Sequence, residues 1–207
     1  MFYLTGSVTG VKEELAERRL GFMNTPNVGN RLDPAWVWAA DNGCYGSSYV
    51  GDEKWLAWLG SFSHEQQANC LFATAPDVVG DAAATLARSL PWLPLIRAFG
   101  FPAAFVAQDG LTVEGAPWEE FDALFVGGTT AWKLGPEVKA LIVEAKRRGK
   151  HVHVGRVNSQ GRYLAFAALG CDTADGTFLA FGPRVLVPEL LGWIRHHETQ
   201  QVLELFA

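Results

Sequence analysis

The stretch ALFVGGTTAWKLGPEVKALIVEAKRRGKHVHVG, residues 123–155, reads as one strand–helix–strand unit. Ala123 to Val126 is a short apolar run that opens onto Gly127-Gly128, and His151 to Val154 is a second run that opens onto Gly155. Short β-rich runs bounded by glycine are read as strands. Between them, Pro136 to Arg148 predicts a helix. Pro136 sits early, where a missing N–H costs nothing, Lys146, Arg147 and Arg148 complement the dipole in the last turn, and Gly149 comes next as a C-terminal stop.

Outward from this unit the pattern repeats. Candidate strands are Phe2 to Leu4, Trp36 to Ala40, Cys70 to Thr74, Ala103 to Ala107, and a short one around Gly170 to Asp172. Candidate helices are Val11 to Leu20, Lys54 to Leu59 and Asp81 to Leu90. Gly21 to Asp33, which includes Asn24, Pro26, Asn27, Gly29 and Asn30, reads as a long loop of the kind that serves as a lid or binding loop. Alternation of strands with helices is the mark of βα units. Each strand opens into a polar or glycine-rich segment: Asp41-Asn42-Gly43, Pro76-Asp77, Gln108-Asp109-Gly110, Gly127-Gly128-Thr129-Thr130, Gly155-Arg156-Val157-Asn158-Ser159 and Asp172-Thr173-Ala174-Asp175-Gly176. In a parallel βα barrel these ends converge on one face around one ligand. An open doubly wound sheet also binds at strand C-termini, but no Gly-x-Gly-x-x-Gly or Gly-Lys-Ser/Thr turn is present. The expectation is therefore an α/β fold, a compact TIM-like (β/α) barrel shorter than the roughly 250 residues usual for it.

Bulk properties agree with a packed enzyme-sized unit. The 207 residues suffice for one domain with its own core, and 49% apolar with 19% charged residues excludes a disordered chain. Cys44, Cys70 and Cys171 are odd in number and widely spaced, so free buried thiols are expected and neither a disulfide framework nor a zinc cluster. The first residues lack a basic segment followed by a long apolar one, and no apolar run reaches membrane-spanning length, so a cytoplasmic protein without membrane contact is expected. A net charge of −5 argues against a surface that coats nucleic acid generally. One local cluster, Lys146, Arg147, Arg148 and Lys150, with His151, His153 and Arg156 after it, could contact a polynucleotide backbone; a solvated helix end explains it almost as well. His151 and His153 share one strand face, a spacing zinc can use, but no third ligand is placed.

Individual strand ends carry candidate chemistry. Asp41, beside aromatics, is either an Asx-turn residue or a proton-transfer group with a raised pKa. Asp77 is free to accept the paired N–H groups of an amidine-like base edge, whereas Asp81, one turn on, reads as a helix N-terminal acid. Gln108 can donate to and accept from a heterocycle, and Gly127-Gly128 offers backbone N–H groups to a phosphate or a base carbonyl, or is a tight turn. Asp172 and Asp175 are three apart. A carboxylate of this kind can attack an anomeric carbon while a second, such as Asp41, handles the leaving group's proton. An acidic turn is the plainer account of the pair.

Taken in order, Asp41-Asn42-Gly43, Pro76-Asp77, Val106-Ala107-Gln108-Asp109-Gly110, the Phe-Val-Gly-Gly-Thr-Thr-Ala-Trp-Lys-Leu run from Phe125 and the Gly-Cys-Asp-Thr-Ala-Asp-Gly-Thr run from Gly170 resemble the motif series of the tRNA-guanine transglycosylases. The resemblance covers about Trp36 to Phe178 and is nearest to the compact DNA-acting (DpdA-type) branch of phages and some bacteria, through Gly-Gly-Thr-Thr-x-Trp-Lys and His-Val-Gly-Arg-Val-Asn-Ser. It implies a barrel that exchanges guanine in a polynucleotide for a 7-deazaguanine base through a covalent intermediate, with no redox cofactor and no catalytic metal. By it, Asp175 would be the nucleophile, Asp41 the acid/base, and Asp77, Gln108, Gly127 and Gly128 the base site; the basic cluster Lys146, Arg147, Arg148 and Lys150, with Arg156 and Asn158, is the expected set of nucleic-acid contacts. Asp81 could replace Asp77, and Asp172 lies close to Asp175. The zinc motif of the tRNA enzymes is missing from the end, Trp193-Ile194-Arg195-His196-His197, which implies a barrel lacking the zinc-binding subdomain and favours DNA as partner. The setting would be the cytoplasm, or the host's for a phage chain, and a second copy or an accessory subunit could add DNA contacts. The other readings are an isomerase or lyase on a small phosphorylated metabolite, with Gly127-Gly128 as phosphate cradle, and a non-catalytic nucleic-acid-binding scaffold.

Overall fold

The computed structural model describes residues 1–27 and 31–205. Its strands are β1 (Phe2–Thr5), β2 (Gly21–Asn24), β3 (Trp38–Ala40), β4 (Cys70–Thr74), β5 (Ala103–Ala107), β6 (Ala123–Val126), β7 (His151–Val154) and β8 (Thr173–Gly176). Its helices are α1 (Lys12–Ala16), α2 (Asp52–Leu59), α3 (His64–Gln67), α4 (Ala82–Ser89), α5 (Leu93–Ala98), α6 (Thr130–Lys133), α7 (Pro136–Arg147), α8 (Gln160–Ala168) and α9 (Pro183–Leu205). The eight strands close in sequence order into one parallel barrel, β8 pairing back onto β1 with Leu4 opposite Asp175. Parallel pairing throughout puts every strand C-terminus, and the loop after it, at one end.

The barrel is compact because two connections carry no helix among the described residues, β2 to β3 and β5 to β6. In the second, Trp118 and Phe121 are buried instead and Arg148 lies over the Trp118 ring, so an aromatic loop covers the strands where a helix otherwise would. The interior is a separate small core of Leu4, Met23, Ala39, Phe72, Ala104 and Ala123, while the larger core lies between strands and helices. Strands buried on both faces do not alternate polar with apolar, as the run of β5 illustrates.

The helix termini follow local chemistry. Asp81 accepts a bond from the Ala84 N–H and is the N-cap of α4. Pro136 opens α7, and Gly149, at φ 69°, ends it in a left-handed conformation that glycine adopts without strain.

Three expectations need correction. Gly21 to Asn24 is not loop but strand, wholly buried. Its glycine is required, since a Cβ at Gly21 would lie 2.3 Å from Leu4 Cδ2 and 3.1 Å from the Val37 carbonyl. Gly29 and Asn30 of the expected loop lie outside the described residues. The first helix stops at Ala16, not Leu20, because the chain must turn, with Arg18 at φ 56°, to enter β2. The last strand is Thr173–Gly176, not Gly170 to Asp172. Asp172 and Asp175 therefore sit toward opposite ends of the barrel. Asp172, at the N-terminal end, is held by Lys146 Nζ at 2.6 Å and by the Val152 N–H at 2.7 Å.

Candidate active site

The mouth formed by the strand C-termini holds a cavity of about 440 Å³, within the usual range for small-molecule sites. Asp41, Asp77, Gln108, Gly127, Gly128, Arg156, Asn158 and Asp175 all line it. Closure of the sheet brings Asp41 and Asp175, 134 positions apart in the chain, into one cavity.

Asp77 is built into its place from two sides. Helix α4 pins the turn that carries it: Arg88 Nη1 donates to the Asp77 carbonyl at 2.8 Å and Ser89 Oγ to the Pro76 carbonyl at 2.8 Å. Its carboxylate accepts from Asn42 Nδ2 at 2.8 Å on one oxygen and from Gln108 Nε2 at 2.5 Å on the other. Burial raises its pKa, and the two amide donors act against that rise. Asp81, by contrast, is spent on its helix.

Gln108 is fixed as firmly, because its Oε1 accepts from the Gly80 and Gly128 N–H groups, both at 2.9 Å. This bears on Gly127-Gly128. The Gly127 N–H donates to the Ala107 carbonyl at 3.0 Å, so neither glycine amide is free to cradle a phosphate or to donate to a base. The pair is present for packing: Cβ atoms there would lie 2.7 Å from Val106 and 2.5 Å from Trp132. The phosphate-cradle expectation for these two amides is thereby corrected.

Asp41 lies deep in the cavity, partly exposed to it. Burial raises its pKa to about 7, reinforced by the charges of Asp175 and Asp77 and opposed by the Asn42 and Gly43 backbone N–H groups. Near neutral pH such a group can both give and take a proton. Asp175 differs. One of its oxygens, Oδ1, accepts from the Arg156 N–H at 3.0 Å and from His153 Nε2 at 3.3 Å. Arg156 reaches it only by adopting φ 59°, a left-handed conformation uncommon for a residue with a side chain. The Arg156 guanidinium then spans the mouth, bonded to Tyr45 Oη at 3.0 Å and to the Gly128 carbonyl, and stacked 4.7 Å from the Tyr45 ring centre.

The expected nucleic-acid set divides. Arg156 and Asn158 are at the mouth, Asn158 accepting the Thr177 N–H at 2.7 Å. Lys146, Arg147, Arg148 and Lys150 are at the opposite end, because α7 ends where β7 begins. There they pair with Asp172, Glu144, Glu119 and the Phe121 carbonyl. They do not form one surface with the cavity. Nor do the histidines face solvent for backbone contact: His153 is fully buried against Phe72 and Phe125, and burial pulls His151 down to about 4.

Sequence reasoning missed three contributors. Lys133, in Thr-Thr-Ala-Trp-Lys, is buried and donates from Nζ to the Gly155 carbonyl at 2.5 Å. Burial, and secondarily the Arg156 charge, lowers its pKa to about 8. Tyr45 stands over Arg156, and Asn42, read as a turn residue, donates to Asp77. A lysine inside an otherwise apolar and small run was the available signal for the first; Asn42 stood in the same strand-end segment as Asp41, and Tyr45 had none.

No family model and no curated protein matches the chain. Among the described residues no group of three or more His, Cys, Asp or Glu side chains is placed to hold a metal ion, and no helix is long and apolar enough to cross a membrane. The three cysteines are free, Cys70 and Cys171 buried and Cys44 partly so.

Proposed function

We propose that the cavity exchanges a purine-type base at a glycosidic carbon: a guanine in DNA is released and a 7-deazaguanine base takes its place. The observation that carries the reading is the presence of Asp175 and Asp41 in one cavity whose polar lining includes Asp77 braced by Asn42 and Gln108. Asp175 carboxylate attacks C1′, and the C–O bond forms as the bond from C1′ to the base nitrogen breaks. The electron pair leaves with the base, which takes the proton that Asp41 carries. The incoming base gives its own ring N–H proton to Asp41 as that nitrogen bonds to C1′ and the C1′–O bond to Asp175 breaks, so the cycle closes without an oxidant or a cation.

Asp77 supplies the recognition. Each carboxylate oxygen already accepts one bond and keeps capacity for another, which suits the parallel N–H pair of a guanine-type edge. The target nucleotide must leave its stack to enter, at a cost of about a few kcal/mol. Arg156 and the Tyr45 ring, which line the cavity, would contact the flipped nucleotide's neighbours. With net charge −5 and the Lys146 to Lys150 cluster at the far end, further DNA contacts would fall to a second copy or an accessory subunit.

The test is nucleoside mass spectrometry of DNA incubated with the protein and an isotope-labelled 7-deazaguanine base. Label is expected in DNA with the native chain and none with Asp175→Ala; full incorporation by that variant overturns the reading.

A further inference from the structure

One buried side chain in contact with Asp175 has no assigned role, His153. Its ring fills the barrel interior between Phe72 and Phe125, with centroids 5.1 and 4.4 Å away. Three polar contacts join it into a chain along the inner face of β7 and β8: Nε2 to Asp175 Oδ1 at 3.3 Å, Nδ1 to Thr173 Oγ1 at 2.9 Å, and Thr173 Oγ1 to His151 Nε2 at 2.8 Å. The register accounts for this, since His153 lies opposite Thr173 and side chains two apart on a strand share a face.

The chemistry of the chain orients it. A carboxylate oxygen only accepts, so the Nε2 facing Asp175 carries a proton. The Thr173 hydroxyl on Nδ1 fixes the ring rotation, as a partner on the second nitrogen does for a histidine that works through the first. Both donors to Asp175, His153 Nε2 and the Arg156 N–H, end on Oδ1. Among the described residues no hydrogen bond falls on Oδ2.

We propose that His153 is a positioning residue: with the Arg156 amide it clamps Oδ1 of Asp175 and so presents Oδ2, unencumbered, as the oxygen that bonds to the anomeric carbon. This rests on the transglycosylase reading. A carboxylate held by one oxygen keeps its second in a single direction, which a nucleophile needs if its approach to carbon is to be in line. Thr173 and His151 are the support that prevents the imidazole from turning away.

The experiment has a kinetic arm and a spectroscopic one. His153→Leu removes the Nε2 donor but refills the apolar pocket; His153→Gln places an amide N–H near the Nε2 position. With thermal melts confirming that both variants fold, His153→Leu is expected to lower kcat for base exchange about 100-fold with KM for the base unchanged, and His153→Gln to recover most of it. Wild-type kcat in His153→Leu, or equal losses in the two variants, overturns the proposal. Long-range ¹H–¹⁵N spectra of the native protein are expected to show His153 protonated on Nε2; protonation on Nδ1 alone overturns it. Should the native chain exchange no base at all, the transglycosylase reading falls, and the spectra still decide whether His153 donates to Asp175.

Discussion

Replacing Asp41 by Asn keeps the shape of the cavity wall and removes one titration, and the structure predicts a variant that is inactive yet more stable at alkaline pH. Burial, then the charges of Asp175 and Asp77, raise the Asp41 carboxyl from 3.8 to about 7. A carboxyl whose folded-state value lies above its unfolded one holds its proton more tightly in the folded chain. Its ionisation therefore opposes folding, with no penalty below pH 3.8 and the whole penalty above about pH 7. At about 1.4 kcal/mol for each factor of ten, the interval sets an upper bound of about 4 kcal/mol. Water reaches the partly exposed side chain and screens it, which brings the expected figure to about 2 kcal/mol. Urea unfolding of native protein and Asp41→Asn at pH 4, 6 and 8 measures this directly. The stability difference should be near zero at pH 4 and grow to its full value at pH 8. A difference of the same size at pH 4 and pH 8 would refute the reasoning, because Asp41 would then carry no perturbed titration.

Other residues give independent checks. Among the described residues Thr74 Oγ1, which is buried, has no hydrogen-bond partner, so Thr74→Val should stabilise the fold by about 1 kcal/mol in the same assay, against the usual cost of a core substitution. Gly21→Ala forces a methyl against Leu4 and the Val37 carbonyl and should cost about 1–3 kcal/mol, seen as a lower melting temperature. Arg147, exposed and paired with Glu144 at the end of the barrel away from the cavity, should be replaceable by Ala with no change in DNA affinity by fluorescence anisotropy. Arg156→Ala, which removes the guanidinium from the mouth, should weaken binding and flatten its salt dependence.

Much of the site was legible because its residues stand directly after apolar runs. Asp41, Asp77, Gln108, Gly127, Gly128 and Arg156 were each marked by a strand opening into polar or glycine residues, and the barrel made them neighbours. Local sequence also named Asp81 as a helix acid, and it is the N-cap. His153 was visible as one of two histidines on a common face, beside the basic cluster and at the head of His-Val-Gly-Arg-Val-Asn-Ser, but not as a partner of Asp175. Which face, interior or solvent, no local pattern says when a strand is buried on both sides.

By itself, then, the chain determined what depends on neighbours in sequence: the βα alternation, the caps and turns of α4 and α7, and the strand-end set of candidate residues. Tertiary structure alone decided what depends on register and closure. β2 is a strand because Phe22 and Asn24 find partners on β3, and Gly21 on β1, not because Gly-Phe-Met-Asn favours extension. Asp175 rather than Asp172 faces the cavity because β8 pairs with β1 from Thr173 onward, which sends the two carboxylates toward opposite ends. The same closure removed the Lys146 to Lys150 cluster from the mouth and occupied the amides of Gly127 and Gly128. Hydrogen-bond register is a long-range property, fixed by which strands meet, and one strand's residues cannot encode it alone.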